Sequence, residues 1–291
     1  MKLILAHPSI KRLHWELAVL LTNIKQFGEF EVVLLFSAPH DYDNTVPRFL
    51  ADKYGVQCFV YGDTRDDKSY IPSIRPWLLW QYLAEDPARE QETYLYIDSD
   101  IIFREWIDFA TLDLQPNKVV GSDCSDYIDY DYIVGCKNGE TIAARMAEIC
   151  GIMPEQMKGV PGIGAHIVAQ NFSADFWKRC YYDSNKLHHY FATVDSDLQK
   201  WTAEMWAQLW GWVREGCDIV ASSELDFCRP TDNLEEWDKV KILHNAGVTG
   251  RGDMFFKGMY VNQSPIGQDF THIRRDKATL RYVEAIEKVL Q

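Results

Sequence analysis

The run Tyr94-Leu95-Tyr96-Ile97-Asp98-Ser99-Asp100-Ile101-Ile102-Phe103 sets two carboxylates, separated by one serine, into an otherwise apolar and aromatic stretch. A carboxylate taken out of water demands a compensating charge. If the chain stays extended here, residues i and i+2 point to one side about 7 Å apart, a span that one divalent ion with a diphosphate can bridge. Turn capping is the other common use of aspartate, but the apolar flanks and the position after a strand favour metal or diphosphate work. Farther along, Lys241-Ile242-Leu243-His244-Asn245-Ala246-Gly247 puts His244 at the end of a strand-like run, where an imidazole serves either as a hydrogen-bonded core group or as a ligand. Glu204 opens a helix whose apolar stripe is Trp206, Leu209, Trp210 and Val213. It falls opposite that stripe, as a solvated helix residue or as an acid facing a ligand. Gly159-Val160-Pro161-Gly162-Ile163-Gly164-Ala165-His166 is either a simple turn or a place where backbone approaches a ligand closely. It is no dinucleotide fingerprint, because Ile167 stands where the third glycine belongs.

These residues need a frame. Short β-rich runs at 3–6, 31–36, 56–61 and 94–97 alternate with helical periodicity at 12–27, 46–54 and 72–83, the last with Pro76 kinking it or sitting in its first turn. Strand and helix in alternation predict an open parallel sheet covered by helices. Such sheets bind ligands beyond the carboxyl ends of their strands, which singles out Ala6-His7-Pro8, Tyr61-Gly62-Asp63 and Asp98-Ser99-Asp100. Beyond Trp106 the pattern turns mixed: a strand at 118–121, a Tyr- and Asp-rich loop at 123–132, helices near 141–150, 174–182 and 200–214, a strand at 240–243 and a helix at 279–290. With no repeat or linker, residues 1–115 and 116–291 are expected to be two functional halves of one domain.

The 291 residues carry 30 Lys plus Arg against 43 Asp plus Glu, a net charge of −13, which disfavours general binding to nucleic acid or anionic membrane. The seven cysteines contain no C-x-x-C, so reduced, buried thiols are expected. Leu3 to Ala6 is too short for a signal-peptide core and no apolar run reaches membrane-spanning length, so the expectation is a cytoplasmic protein.

The strand ending in Asp98-Ser99-Asp100, with Ser73-Ile74-Arg75-Pro76-Trp77-Leu78-Leu79-Trp80-Gln81-Tyr82-Leu83 upstream, resembles the metal-binding region of nucleotide-sugar-dependent glycosyltransferases of the GT-A fold. The upstream segment is similar to the Lys-Pro-x-x-x-x-x-x-Leu helix of plant serine and hydroxyproline glycosyltransferase-like proteins, with Arg75 in the basic position. His244-x-x-Gly247 resembles the H-x-x-G-x-x-K pattern of glycogenin-like transferases; Gly250 stands where the lysine belongs, leaving Arg251 or Lys257 to supply the cation. The resemblance implies an α/β chain forming a single GT-A, Rossmann-like domain, with a mostly parallel central sheet flanked by helices. It further implies a metal held by Asp98, Asp100 and His244. Two carboxylates and an imidazole suit Mn(II), with Mg(II) as the substitute.

Donor contacts would come from Ala6, His7, Pro8, Tyr61, Asp63, Arg75, Asp98, Ser99, Asp100, Gly162, Gly164 and Lys257. Glu204 would position or deprotonate the acceptor, with Asp197 and Asp195 as rivals. The implied reaction moves a sugar from a nucleoside diphosphate, UDP above all, to a hydroxyl of a glycan, polypeptide or small molecule. Four aspartates between 123 and 131 make the modified bases of DNA a poor acceptor. Ten tryptophans and the tyrosines at 127, 130, 132, 181, 182 and 190 offer stacking surfaces for sugars, although most belong in the core. A glycoside hydrolase with paired carboxylates, or a non-catalytic carbohydrate- or nucleotide-binding protein, are the competing readings.

Overall fold

The structure, a computed structural model, describes residues 1–38, 45–250 and 252–289. The N-terminal part follows the expected alternation: β1 (Lys2–Pro8), α1 (Lys11–Ile24), β2 (Val32–Ala38), α2 (Thr45–Tyr54), β3 (Gln57–Gly62), α3 (Ile74–Glu85) and β4 (Thr93–Tyr96). Pro76 sits in the first turn of α3, where its missing N–H has no helical partner to lose. β1 pairs in parallel with both β2 and β4, and β2 pairs in parallel with β3. Successive residues of β1 and β2 are buried on opposite faces. Ile4, Ala6, Val33 and Leu35 pack beneath α3, whereas Leu3, Leu5, Leu34 and Phe36 pack against Leu13, Leu17 and Leu20 of α1. Burial on both faces is why these strands read as continuous apolar runs.

The rest of the chain adds β5 (Ile101–Phe103), β6 (Lys118–Asp123), α4 (Tyr130–Gly135), α5 (Gly139–Cys150), α6 (Pro154–Met157), β7 (Ile163–Gln170), α7 (Ala174–Thr193), α8 (Ala203–Arg214), β8 (Asp218–Ala221), β9 (Phe227–Cys228), α9 (Leu234–Trp237), β10 (Ile242–His244) and α10 (Thr279–Lys288). One seven-stranded sheet runs β3-β2-β1-β4-β7-β6-β8, and a three-stranded sheet runs β5-β10-β9. β7 is antiparallel to both neighbours, and the remaining pairs of the large sheet are parallel. The β4–β7 pairing carries the sheet without interruption from the first half of the chain into the second.

Three expectations need correction. The glycine-containing segment 159–166 is not all loop: from Ile163 it is the start of β7, distorted by a bulge opposite Gly121/Ser122 and by Ala165 at φ +53°. The helix expected to end near Tyr182 continues to Thr193. The helix carrying Glu204 has no solvent face over its first turns, because every residue from Ala203 to Trp212 is buried.

Candidate active site at the carboxyl edge of the sheet

β4 delivers Asp98 to the carboxyl edge, and the chain then turns through Ser99 and Asp100 into β5. The doublet is therefore a turn and not the extended i, i+2 pair that its spacing suggests. A distant segment completes it. β10 pairs antiparallel with β5 in a register that sets His244 opposite Ile101, and the Asn245 N–H donates to the Asp100 carbonyl at 2.8 Å. His244 Nε2 consequently lies 3.4 Å from Asp100 Oδ1 and 3.5 Å from Asp98 Oδ2.

Cations and a third carboxylate surround this cluster. Lys257 Nζ donates to Asp100 Oδ2. Arg75, from the first turn of α3, donates to Asp98 Oδ1 at 2.5 Å and to Glu204 Oε2 at 2.7 Å. Gln208, one turn along α8, donates to the other Glu204 oxygen, and the Glu204 N–H donates to the Tyr70 hydroxyl at 3.0 Å. Behind the turn, the Ser99 hydroxyl donates to Glu16 Oε2 at 2.8 Å, while Arg12 lies 3.1 Å from the other Glu16 oxygen.

Burial raises the pKa of every carboxyl in this group, and the neighbours decide the outcome. Against burial, Arg75 and then His244 bring Asp98 below the usual carboxylate range, and Lys257 and His244 bring Asp100 well below it. Burial prevails over Arg75 at Glu204, whose pKa is raised. Glu16 is pushed up to about 7 by burial and then by Asp100. The two aspartates are thus held ionised, whereas Glu204 is the more basic carboxylate.

The donor set fits a divalent ion. One ligand atom from each of Asp98, Asp100 and His244 lies within 4.8 Å of the others. Ligand bonds of about 2.1 Å separate donors by about 3 Å at right angles and about 4 Å across the ion, which brackets the imidazole-to-carboxylate distances. Formal charge agrees: Asp98, Asp100 and Glu204 face Arg75 and Lys257, three carboxylates to two cations, leaving a deficit of positive charge. Beside the cluster opens a cleft of about 390 Å³, lined among others by Arg75, Asp98, Glu204, His244, Tyr132 and Trp201.

No protein-family model matches the chain, and no curated protein does. Solved structures do match it. The bifunctional glycosyltransferase WbbM superposes on 99% of this chain with a TM-score of 0.51 at 10% identity, and the chain spans 49% of WbbM, about half its length. The galactosyltransferase LgtC, in complex with donor and acceptor sugar analogs, superposes on 98% of this chain and 95% of its own with a TM-score of 0.50 at 12% identity. The chain has the GT-A fold.

Within this GT-A frame the other expected residues fall in several places. Lys257, Arg75, Glu204 and Gly164 meet at the cluster or its cleft. Ala6 and His7 are buried at the end of β1; burial pushes the His7 imidazole down to about 4, with Asp98 the first of its charged neighbours to oppose that. Pro8 closes the same strand.

Tyr61 and Asp63 lie outside the cleft lining: the Tyr61 hydroxyl donates to Glu85 at 2.9 Å, and Arg65 grips both Asp63 oxygens at 3.0 Å while donating to the Tyr70 carbonyl and Ser73 hydroxyl. Asp195 and Asp197 are held by Lys137, also outside the lining, and Asp197 is kept below its usual range by the Lys137 N–H. A Cβ on Gly162 would stand 2.0 Å from the Ile128 carbonyl oxygen, so this glycine serves close packing of backbone on backbone. Arg251 lies outside the described residues.

Glu16, Gln208 and Tyr70 are the participants that spacing did not reveal. Glu16 carried a signal: it sits among Leu13, Leu17 and Leu20 on the buried side of α1, where a lone carboxylate needs a reason.

Proposed function

We propose that this protein is a metal-dependent glycosyltransferase that moves a sugar from a nucleoside diphosphate sugar, a UDP-sugar in particular, to a hydroxyl acceptor. The observation that carries this reading is the convergence of Asp98, Asp100 and His244 beside a cleft that also holds a raised-pKa carboxylate, on a fold shared with glycosyltransferases. LgtC, which binds donor and acceptor sugar analogs, suggests the same two ligand classes here.

Asp98, Asp100 and His244 would hold the ion, with Mn(II) preferred for a mixed carboxylate and imidazole set. Bound there, a divalent ion would supply Lewis acidity against the charge gathering on the departing diphosphate. Lys257 and Arg75 bring positive charge to the same place, and the Ala6-His7-Pro8 end of β1 is assigned to the nucleotide base and ribose. Glu204 receives the proton of the acceptor hydroxyl or orients that hydroxyl. Its raised pKa suits it better than Asp197, whose pKa is lowered. Residues 1–115 then serve the donor, and residues 116–291 serve the acceptor while supplying the third ligand. Held ionised, Asp98 and Asp100 do not divide the acid and base roles between them as the paired carboxylates of a hydrolase do. Seven unpaired cysteines suit a reducing, cytoplasmic setting; no helix among the described residues is long and apolar enough to cross a membrane.

A thermal-shift screen of UDP-, GDP- and CMP-sugars with and without Mn(II) tests class and donor together, because a ligand that binds only the folded state raises Tm. The expected result is a shift that needs both a UDP-sugar and the ion; shifts indifferent to the ion overturn the reading. Glu204→Gln is expected to lower kcat on the order of 10²-fold with donor KM little changed.

A further inference from the structure

Among the ten tryptophans of the chain, Trp201 is the exposed one, at 58%, and it lines the cleft. Nothing in the core accounts for it. It stands in the short turn Lys200–Thr202 that leads directly into α8 and Glu204. Its backbone is fixed from several sides. The Tyr70 hydroxyl donates to the Trp201 carbonyl at 2.6 Å, the Gln199 N–H donates to the Tyr132 hydroxyl at 3.0 Å, and the Thr202 hydroxyl donates to the Gln199 carbonyl at 2.6 Å. Because Tyr70 also accepts the Glu204 N–H, one phenol sets the position of both the exposed indole and the buried carboxylate. An aromatic ring open to solvent at the mouth of a cleft, on a backbone pinned by these bonds, offers a flat surface that a ligand can cover.

The rest of the mouth narrows the ligand. Tyr127, Tyr132 and Gln199 line the same cleft, together with Asp126 and Arg229, which pair at 2.8 Å. Arg229 also lies over the rings of Tyr127 and Phe227, at 5.8 and 6.0 Å from their centroids. Asp123 and Asp232 join Asp126 and Arg229 in an adjoining depression, so the rim carries three carboxylates to one guanidinium. Such a rim repels phosphates and carboxylates while offering donors and acceptors to hydroxyls. An uncharged pyranose has matching chemistry: its C–H face, weakly positive, lies on the negative face of an indole, and its hydroxyls meet amide, carboxylate and guanidinium groups.

We propose that Trp201 is the stacking platform for the acceptor and that the acceptor is the end of a neutral glycan. This inference rests on the transferase reading of the cleft.

The test measures transfer by the full chain with Mn(II) from UDP-glucose or UDP-galactose to three sets of acceptors: lactose, maltose and cellobiose; glucuronic acid and glucose 6-phosphate; and a Ser/Thr-containing peptide. Slow hydrolysis of the donor by wild-type protein is followed in parallel. Transfer is expected to the neutral disaccharides. In Trp201→Ala the acceptor KM is expected to rise at least tenfold with kcat within about threefold, and Trp201→Phe restores KM to within about threefold. A disaccharide titration is expected to change the tryptophan emission of the wild type and not that of Trp201→Phe. Transfer to the peptide or to the charged sugars, no transfer to any neutral disaccharide, or an unchanged acceptor KM in Trp201→Ala overturns the inference. Donor hydrolysis by the wild type separates these failures from failure of the transferase reading, which would leave no metal-dependent donor turnover at all.

Discussion

Asp98 and Asp100 belong to one cluster yet keep different company. Asp100 is 4% exposed; its carboxylate is held by Lys257 and its carbonyl by the Asn245 N–H, and behind it the Ser99 hydroxyl is tied to Glu16. Asp98 faces the cleft and shares Arg75 with Glu204. The back of the site is thus fixed by strand pairing and buried charge, whereas the front is one guanidinium divided between two carboxylates. In the proposed transferase, the fixed side is the one assigned to the ion and the shared guanidinium stands on the side assigned to the substrates.

This contrast makes unequal demands on the two aspartates. Asp98→Asn and Asp100→Asn are each expected to cut metal-dependent kcat/KM by more than about 10³-fold, since each removes an anionic ligand. Their stabilities should differ. Asp100→Asn leaves the half-buried Lys257 ammonium with only Glu16 as counter-charge, a loss of about 1–2 kcal/mol that lowers Tm on the order of 2–5 °C. Asp98→Asn leaves Arg75 on Glu204 and is expected to cost less than half of that. Equal losses of Tm would erase the distinction between back and front.

The acidic doublet and His244 were legible because polar groups at the ends of apolar strands have few other uses, and the parallel half was legible because burial on both faces leaves unbroken apolar runs. Less was readable where packing overrides pattern. Gly164 and Ala165 look like loop residues, yet they continue β7, with the Ser122 hydroxyl donating to the Gly164 carbonyl across the bulge. The second half of α7, Asp183 to Thr193, is rich in polar side chains, several of them buried against neighbours, such as Asp183 on Arg214. Glu204 reads equally as a solvated residue or as an acid facing a ligand, because periodicity cannot show that a helix is enclosed on all sides. β5 and β10, at three residues each, are too short for any period, so the register that unites the cluster is invisible before folding.

A smaller effect sharpens the same comparison. Glu16→Ala removes the acceptor of the Ser99 hydroxyl and the partner of Arg12 without touching a ligand. Mn(II) affinity, followed by calorimetry, is expected to weaken about tenfold, with acceptor KM unchanged. A change in acceptor KM instead would show that front and back are not independent.

A further expectation concerns pH. His166 is fully buried beneath the cluster, and burial, followed by the neighbouring His244, pushes its imidazole down from 6.5 to about 3. Between those values the unfolded chain binds the proton that the folded chain refuses, so stability falls as pH falls from 6.5 toward 3. In EDTA, the slope of Tm against pH over that window is expected to be shallower for His166→Gln than for wild type; parallel slopes would remove His166 as the cause.

The pairing of β5 with β10 has a consequence in time as well as in space. Translation releases the acidic turn long before His244 and Lys257, so a half-made chain bears two neighbouring negative charges with neither imidazole nor ammonium to meet them. The nascent protein cannot assemble its cluster until the segment carrying His244 and Lys257 has been made.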